Sequence, residues 1–355
     1  MPISPSQVPP PYQYRCVDKS WLTGVLAATV VPQIERRLPL GLPANLITLL
    51  SSACLAVMVL LQWLAPDWRS AALVAGIGLL VAYTLLDMVD GQRARRLGTS
   101  SPLGEYLDHT LDIFNAAVVV AMVFLVQPGA SPVARAWLLA AVGLAFAAAL
   151  VEQRLGGVLC LGAIGPVEAL LLVGGYLASR LVPGADAWWE QATIGGWSRF
   201  AIVAAVAGAG IGFSATASVW RLRQLPWPLA MFAAGSLVFL ALLHGGTSAW
   251  GTLLALVFWS ADFGGRVICS HLQHERLPRP DAVGCGLALA QLGLALGGVR
   301  PSWLEFAPAV WLAGRFACHV AGTIRTYRQY WTWWHRSTDG RPAAPAAASA
   351  AATIR

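Results

Sequence analysis

The feature that most restricts how this chain can fold is its alternation of long apolar runs with short charged loops. Ten runs, near residues 43–64, 70–89, 107–127, 133–151, 158–181, 198–219, 227–245, 247–268, 281–299 and 303–323, stand between clusters of charge, Pro and Gly. About 20 apolar residues suffice for a helix to cross roughly 30 Å of hydrocarbon. Only 12% of the 355 residues are charged and 57% are hydrophobic, whereas a soluble domain has about 25% and about 45–50%. The pattern excludes an ordinary soluble protein and predicts an all-α, polytopic integral membrane bundle of ten spans. The first 20 residues hold Pro, Tyr, Asp and Lys where a cleavable leader needs an apolar stretch, so the first span is expected to direct insertion.

The formal net charge of +7 follows from this layout. If both termini are cytoplasmic, 18 Lys and Arg fall on inner segments, while Arg69, Arg135, Arg180, Arg199 and Arg300 are the five outside and Arg315 lies within the last span. That asymmetry sets the orientation. No basic cluster with interleaved aromatics supports a nucleic-acid partner. The six cysteines lack C-x-x-C spacing and read as packing residues. Residues 1–40 are expected to form a cytoplasmic segment with an interfacial amphipathic helix over 18–40. The membrane domain follows over 41–336, with core spans in 43–219 and additional spans in 227–323. A disordered tail rich in Ala and Pro occupies 337–355. Neither end is expected to hold the chemistry.

That chemistry is concentrated between the second and third runs, where Asp87 to Asp112 reads DMVDGQRARRLGTSSPLGEYLDHTLD. Asp87 and Asp90 are i, i+3 and Asp108 and Asp112 are i, i+4, so each pair shares a helical face. Two antiparallel helices joined by a short loop would aim all four carboxylates at one small volume. Four anions so close to hydrocarbon repel strongly unless cations neutralise them. Oxygen ligands on rigid helices suit hard divalent ions, Mg²⁺ or Mn²⁺, and two such ions suit phosphoryl transfer. Gly91 then permits close approach of backbone to ligand, and Arg95 offers a fork for phosphate oxygens. A transporter using the aspartates as a cation site is the competing class; it leaves Gly91, Ala94, Arg95 and Gly104 without a role.

The segment matches D-x2-D-G-x2-A-R-x8-G-x3-D-x3-D at Asp87, Asp90, Gly91, Ala94, Arg95, Gly104, Asp108 and Asp112. It resembles the signature of the CDP-alcohol phosphotransferases. The resemblance implies two divalent metals held by Asp87, Asp90, Asp108 and Asp112, and displacement of CMP from a CDP-linked group by a hydroxyl. It further implies CDP contacts from Asn45, Asp87, Gly91, Arg95 and Ser101, and a homodimer. Asn45 also reads as the N-terminal cap of the first span, and both roles are compatible.

Other segments resemble the choline/ethanolamine phosphotransferase branch: YQYRCVDKS (Tyr12 to Ser20), LPANLITLL (Leu42 to Leu50), SSPLGEYLDH (Ser100 to His109), GPVE (Gly165 to Glu168), RVICSHL (Arg266 to Leu272) and the last helix around Arg315, Cys318 and His319. The branch implies transfer from CDP-choline or CDP-ethanolamine to diacylglycerol within the bilayer, with CMP as the second product. Transfer of a phosphatidyl group from CDP-diacylglycerol to a small alcohol is the alternative within the family.

The acceptor hydroxyl needs a base. Glu105 and His109 are i, i+4, so a carboxylate could orient an imidazole beside the metals. The wider family points instead to Asp112, whose basicity a bound cation would depress. Glu168 could face a cationic headgroup, cap its helix or pair with Arg154, and Asp262 and Arg266 are placed to neutralise each other. Sixteen Trp, many near span ends, form an interfacial belt. Heavy use of Ala, Arg and Gly with little Lys suggests a GC-rich bacterial genome and hence the inner membrane; in a eukaryote the endoplasmic reticulum or Golgi would be expected.

Overall fold

The structure, a computed structural model, describes residues 14–127, 129–162, 164–244, 249–299 and 301–328. The expected tail over 337–355 lies outside the described residues. The elements run β1 (Cys16–Asp18), α1 (Trp21–Thr29), α2 (Val31–Arg37), α3 (Ala44–Leu64), α4 (Arg69–Leu97), α5 (Pro102–Leu125), α6 (Pro132–Gly156), β2 (Leu159–Leu161), α7 (Pro166–Ser179), α8 (Ala185–Glu190), α9 (Arg199–Leu222), α10 (Trp227–His244), α11 (Ala249–Leu272), α12 (Ala282–Leu296) and α13 (Ala307–Thr326).

Ten of these helices overlie the ten expected runs, and six, α3, α4, α5, α6, α9 and α11, are long and apolar enough to cross a membrane. The other four are shorter or more polar: α7, α10 and α12 are short apolar helices, and α13 carries Arg315, His319 and Arg325. Large apolar side chains on α9, including Val206, Phe213 and Trp220, are exposed, a surface suited to lipid.

Two expectations are corrected in detail. Residues 18–40 do not form one helix: Pro32 starts a second helix, α2, and the chain before α1 is the strand β1, paired in parallel with β2. The expected span over 158–181 is likewise divided. Gly157 ends α6 with φ 74°, which a side chain would strain. Its apolar residues 159–161 are then drawn into β2, leaving α7 to begin at Pro166.

Packing falls into two main apolar clusters. One joins α3, α4, α5 and α7 through Leu55, Met58, Leu73, Leu80, Met122 and Leu177. The other centres on α11, where Trp259 stacks on Phe232 and Phe263 packs beside it. A Cβ at Gly264 would lie 2.4 Å from Ile113, so glycine is what lets α11 approach α5.

The helix pair that matters most is α4 and α5. Gly98, with φ 64°, ends α4 and accepts no side chain without strain. Ser101 then caps α5, its Oγ accepting from Gly104 N at 3.1 Å, and Pro102 preorganises the first turn. Residues 98–101 thus reverse the chain within one tight linker.

A buried ion pair docks α2 against α4. Arg93, fully buried, donates Nη1 to Glu35 Oε1 at 2.8 Å, Nε to Leu42 O at 3.2 Å and Nη2 to Pro39 O, while Arg96 pairs with Glu35 Oε2. Burial raises the Glu35 carboxyl, and the guanidiniums of Arg93 and Arg96 outweigh it, holding it below the usual carboxylate range. The pair therefore contributes fully above the ordinary Glu value of about 4.3 and is lost as acidity passes through the lowered one. Glu35→Ala should strand Arg93 and cost about 3–5 kcal/mol, read as a lower thermal midpoint in lipid nanodiscs. An unchanged midpoint would contradict the docking role.

Candidate active site

Asp87 and Asp90 lie in the last turns of α4 and Asp108 and Asp112 in the first turns of α5. Reversal at 98–101 makes these ends neighbours. One ligand atom from each of Asp87, Asp90 and Asp108 lies within 4.8 Å of the others, and the same holds for Asp108, His109 and Asp112. All four expected aspartates are brought together, in two groups that share Asp108. Asp90 is buried and the other three are half-buried. Three carboxylates in one group, and Asp108 and Asp112 in the other with His109 beside them, fit hard divalent cations. Uncompensated, four carboxylates in this volume would repel too strongly to stay ionised.

Around them the predicted CDP residues take distinct places. A Cβ at Gly104 would lie 3.3 Å from Asn45 Oδ1 and 3.4 Å from Ser101 Oγ, so glycine lets the start of α3 approach the start of α5. Pro43, rather than Asn45, precedes the first residue of α3, and no side chain caps that helix. Asn45 thus has its amide turned to Gly104. A Cβ at Gly91 would meet the Arg95 guanidinium at 3.4 Å. Arg95 is exposed and, with Arg36 and Arg96, lines a cavity of about 480 Å³.

The base candidates are placed less simply than i, i+4 spacing suggests. Glu105 is buried and accepts from Gln153 Nε2 at 2.7 Å, with His271 Nε2 at 3.8 Å. The imidazole of His271, on α11, thus stands beside Glu105. His109 has Nδ1 at 3.8 Å from Asp108 Oδ2 and its ring 5.7 Å from that of Tyr14. Its Nε2 is buried and has no hydrogen-bond partner among the described residues.

Several participants escaped sequence reasoning. Thr48 donates Oγ1 to Asp90 Oδ2 at 2.6 Å; it lies one turn after Asn45, the only sign that it shares that face. Gln153 and His271 reach Glu105 from distant helices, and no local spacing announces them. Tyr14 comes from the segment expected to hold no chemistry. Arg154, the cation expected beside Glu168, donates to Glu275 O, and Glu168 caps its own helix. It accepts from Ser20, Leu22 and Gly165. Asp262 is neutralised as expected by Arg266 at 2.6 Å, and also by Arg315 at 3.1 Å.

Residues 42–208, just under half of the chain, match the family model of the CDP-alcohol phosphatidyltransferases. Among curated relatives, choline/ethanolaminephosphotransferase 1 of Arabidopsis thaliana is 32% identical over 192 residues, 51% of this chain and 47% of its own. Ethanolaminephosphotransferase 1 of Homo sapiens is 31% identical over 207 residues, 53% and 51%. Cholinephosphotransferase 1 of Gallus gallus is 31% identical over 201 residues, 53% and 58%. The chain spans about half the length of the curated relatives it matches.

Thr48→Val removes the hydrogen bond that orients Asp90 and should weaken Mn²⁺ binding about 10-fold or more, measured by titration calorimetry. Asp262→Ala, outside both groups, should leave that affinity unchanged. Equal weakening in the two variants would contradict the assignment of Thr48.

Proposed function

We propose that this chain is an integral membrane phosphotransferase that transfers phosphocholine or phosphoethanolamine from CDP-choline or CDP-ethanolamine to diacylglycerol, releasing CMP. The observation that carries the reading is the pair of ligand groups joined at Asp108, at the meeting of α4 and α5. The likeness to relatives named for choline and ethanolamine transfer supports the headgroup class.

Asp87, Asp90, Asp108 and Asp112 would hold two Mg²⁺ or Mn²⁺ ions, which when bound neutralise the donor's diphosphate and the charge that develops on transfer. Asn45, Ser101 and Gly104 form a narrow polar wall where the starts of α3 and α5 meet, suited to the CDP moiety. Gly91 leaves its backbone open to a phosphate, and Arg95 offers a planar fork to phosphate oxygens. In the transfer, the acceptor hydroxyl oxygen forms a bond to the phosphorus bearing the amino alcohol, the bond from that phosphorus to CMP breaks, and CMP departs with the electron pair.

The hydroxyl proton passes to His109. Its unpartnered Nε2 is free to accept, whereas Asp112 is committed to cations that depress its basicity. Asp108 and Tyr14 hold the ring, and Glu105 is a positioning residue fixed by Gln153 and His271. Diacylglycerol enters laterally from the leaflet to this end of the bundle, which faces the cytoplasm with both termini. The ten helices make ten crossings, and the molecule works as a homodimer.

Purified protein in nanodiscs with Mg²⁺ or Mn²⁺ should release CMP from CDP-choline or CDP-ethanolamine only when diacylglycerol is present. Asp87→Ala, Asp90→Ala and Asp108→Ala should each lower the rate by at least about 10³-fold. Release from CDP-diacylglycerol with small alcohols alone would overturn the headgroup assignment, and cation transport without CMP release would overturn the enzyme class.

A further inference from the structure

The chain before α1 is fastened across the molecule by more contacts than a terminal segment needs. Strand β1 pairs in parallel with β2, in register Cys16 to Leu159, Val17 to Cys160 and Asp18 to Leu161. Leu159 N donates to Arg15 O at 3.0 Å, and Lys19 N donates to Leu161 O at 3.4 Å. Beyond the strand, Asp18 Oδ1 accepts from Ser20 N at 2.8 Å.

Glu168, in the first turn of α7, closes the fastening. Its Oε1 accepts from Ser20 Oγ at 2.5 Å and from Leu22 N at 3.0 Å, while Oε2 accepts from Gly165 N at 2.9 Å. A Cβ at Gly165 would lie 3.1 Å from Ser20 Cβ, so the Gly-Pro turn lets the two segments touch. One carboxylate thus caps α7 and clamps the start of α1, using charge-assisted bonds stronger than neutral ones. At the other end of this strap, Tyr14 lays its ring 5.7 Å from His109, tilted by 47°.

We propose that Tyr14 is a positioning residue for His109 and that Glu168, through Ser20 and the β1–β2 pair, is the anchor that keeps it there. The proposal deepens the phosphotransferase reading and rests on it. Among the described residues, His109 has Asp108 at 3.8 Å on its Nδ1 side and no hydrogen-bond partner on Nε2. A ring so lightly held keeps its orientation through packing, and the described aromatic ring packed on it is that of Tyr14. The GPVE motif thereby serves the chemistry from outside the metal groups, through a chain of hydrogen bonds.

The test is a double-mutant cycle in nanodiscs with CDP-alcohol and diacylglycerol, joined to hydrogen exchange on the same samples. Tyr14→Ala and Glu168→Ala should each lower kcat roughly tenfold, the scale of a misplaced catalytic group, with KM for the CDP-alcohol unchanged within about twofold. Tyr14→Phe, which keeps the ring, should retain at least about half the rate. The double variant should be no slower than either single one, because both act through one contact. Glu168→Ala should speed exchange across residues 15–24 and leave α5 as protected as before.

Losses that multiply, a full rate in Glu168→Ala despite faster exchange of the strap, or deprotection of α5 along with it would each overturn the proposal. A wild-type protein that turns over no CDP-alcohol would sink the phosphotransferase reading, and the proposal with it. That outcome is distinct, because failure of the proposal alone leaves the wild-type rate high.

Discussion

Four carboxylates confined to one small volume, at the polar ends of two long, largely apolar helices, are the constraint on which the rest of this structure depends. Each anion costs several kcal/mol to desolvate, and each repels the others. The fold spends much of its local design on keeping them together. Gly98 and Ser101 reverse the chain, Thr48 satisfies one oxygen of Asp90, and the glycines at 91 and 104 keep side chains out of the space beside them. An arrangement so unfavourable without cations is intelligible as a site for them.

The supporting parts lie farther out. Arg93, in the turn after Asp90, points away from the carboxylates to pin α2, so the same stretch of α4 serves both chemistry and docking. The α11 side contributes Gly264, which lets α5 approach closely, and His271, which faces Glu105. On α11, α12 and α13, Asp262, Arg266, Arg315 and Asp281 form a separate neutralised network. Every carboxylate in that network has a guanidinium within 3.1 Å, and among the described residues no guanidinium pairs with the aspartates of α4 and α5.

Much of this was legible in the sequence because its signals are periodic and local. Apolar run length placed ten helices, and spacing by three and four put each aspartate pair on one face. What spacing could not supply was the identity of partners from distant segments. Glu105 and His109 satisfy the i, i+4 rule, but nothing in their spacing announces Gln153 on α6 and His271 on α11, which reach the same carboxylate. Glu168 was read as a headgroup contact, a cap or an ion pair, and the structure shows the cap, extended to a clamp on Ser20. The strand pairing of residues 16–18 with 159–161 gave no sequence sign, because three residues of a parallel ladder carry no readable period. The same pairing brought Tyr14 from a terminal segment to the site.

The central claim is that the α4 and α5 carboxylates hold two divalent ions at neighbouring positions sharing Asp108. Electron paramagnetic resonance of the wild-type protein titrated with Mn²⁺ tests it most directly. The account predicts saturation at two Mn²⁺ per chain, with a spin-coupled spectrum as the second ion binds, and loss of the coupled signal in Asp108→Asn. Saturation at a single uncoupled ion, or a coupled signal that survives Asp108→Asn, would contradict it.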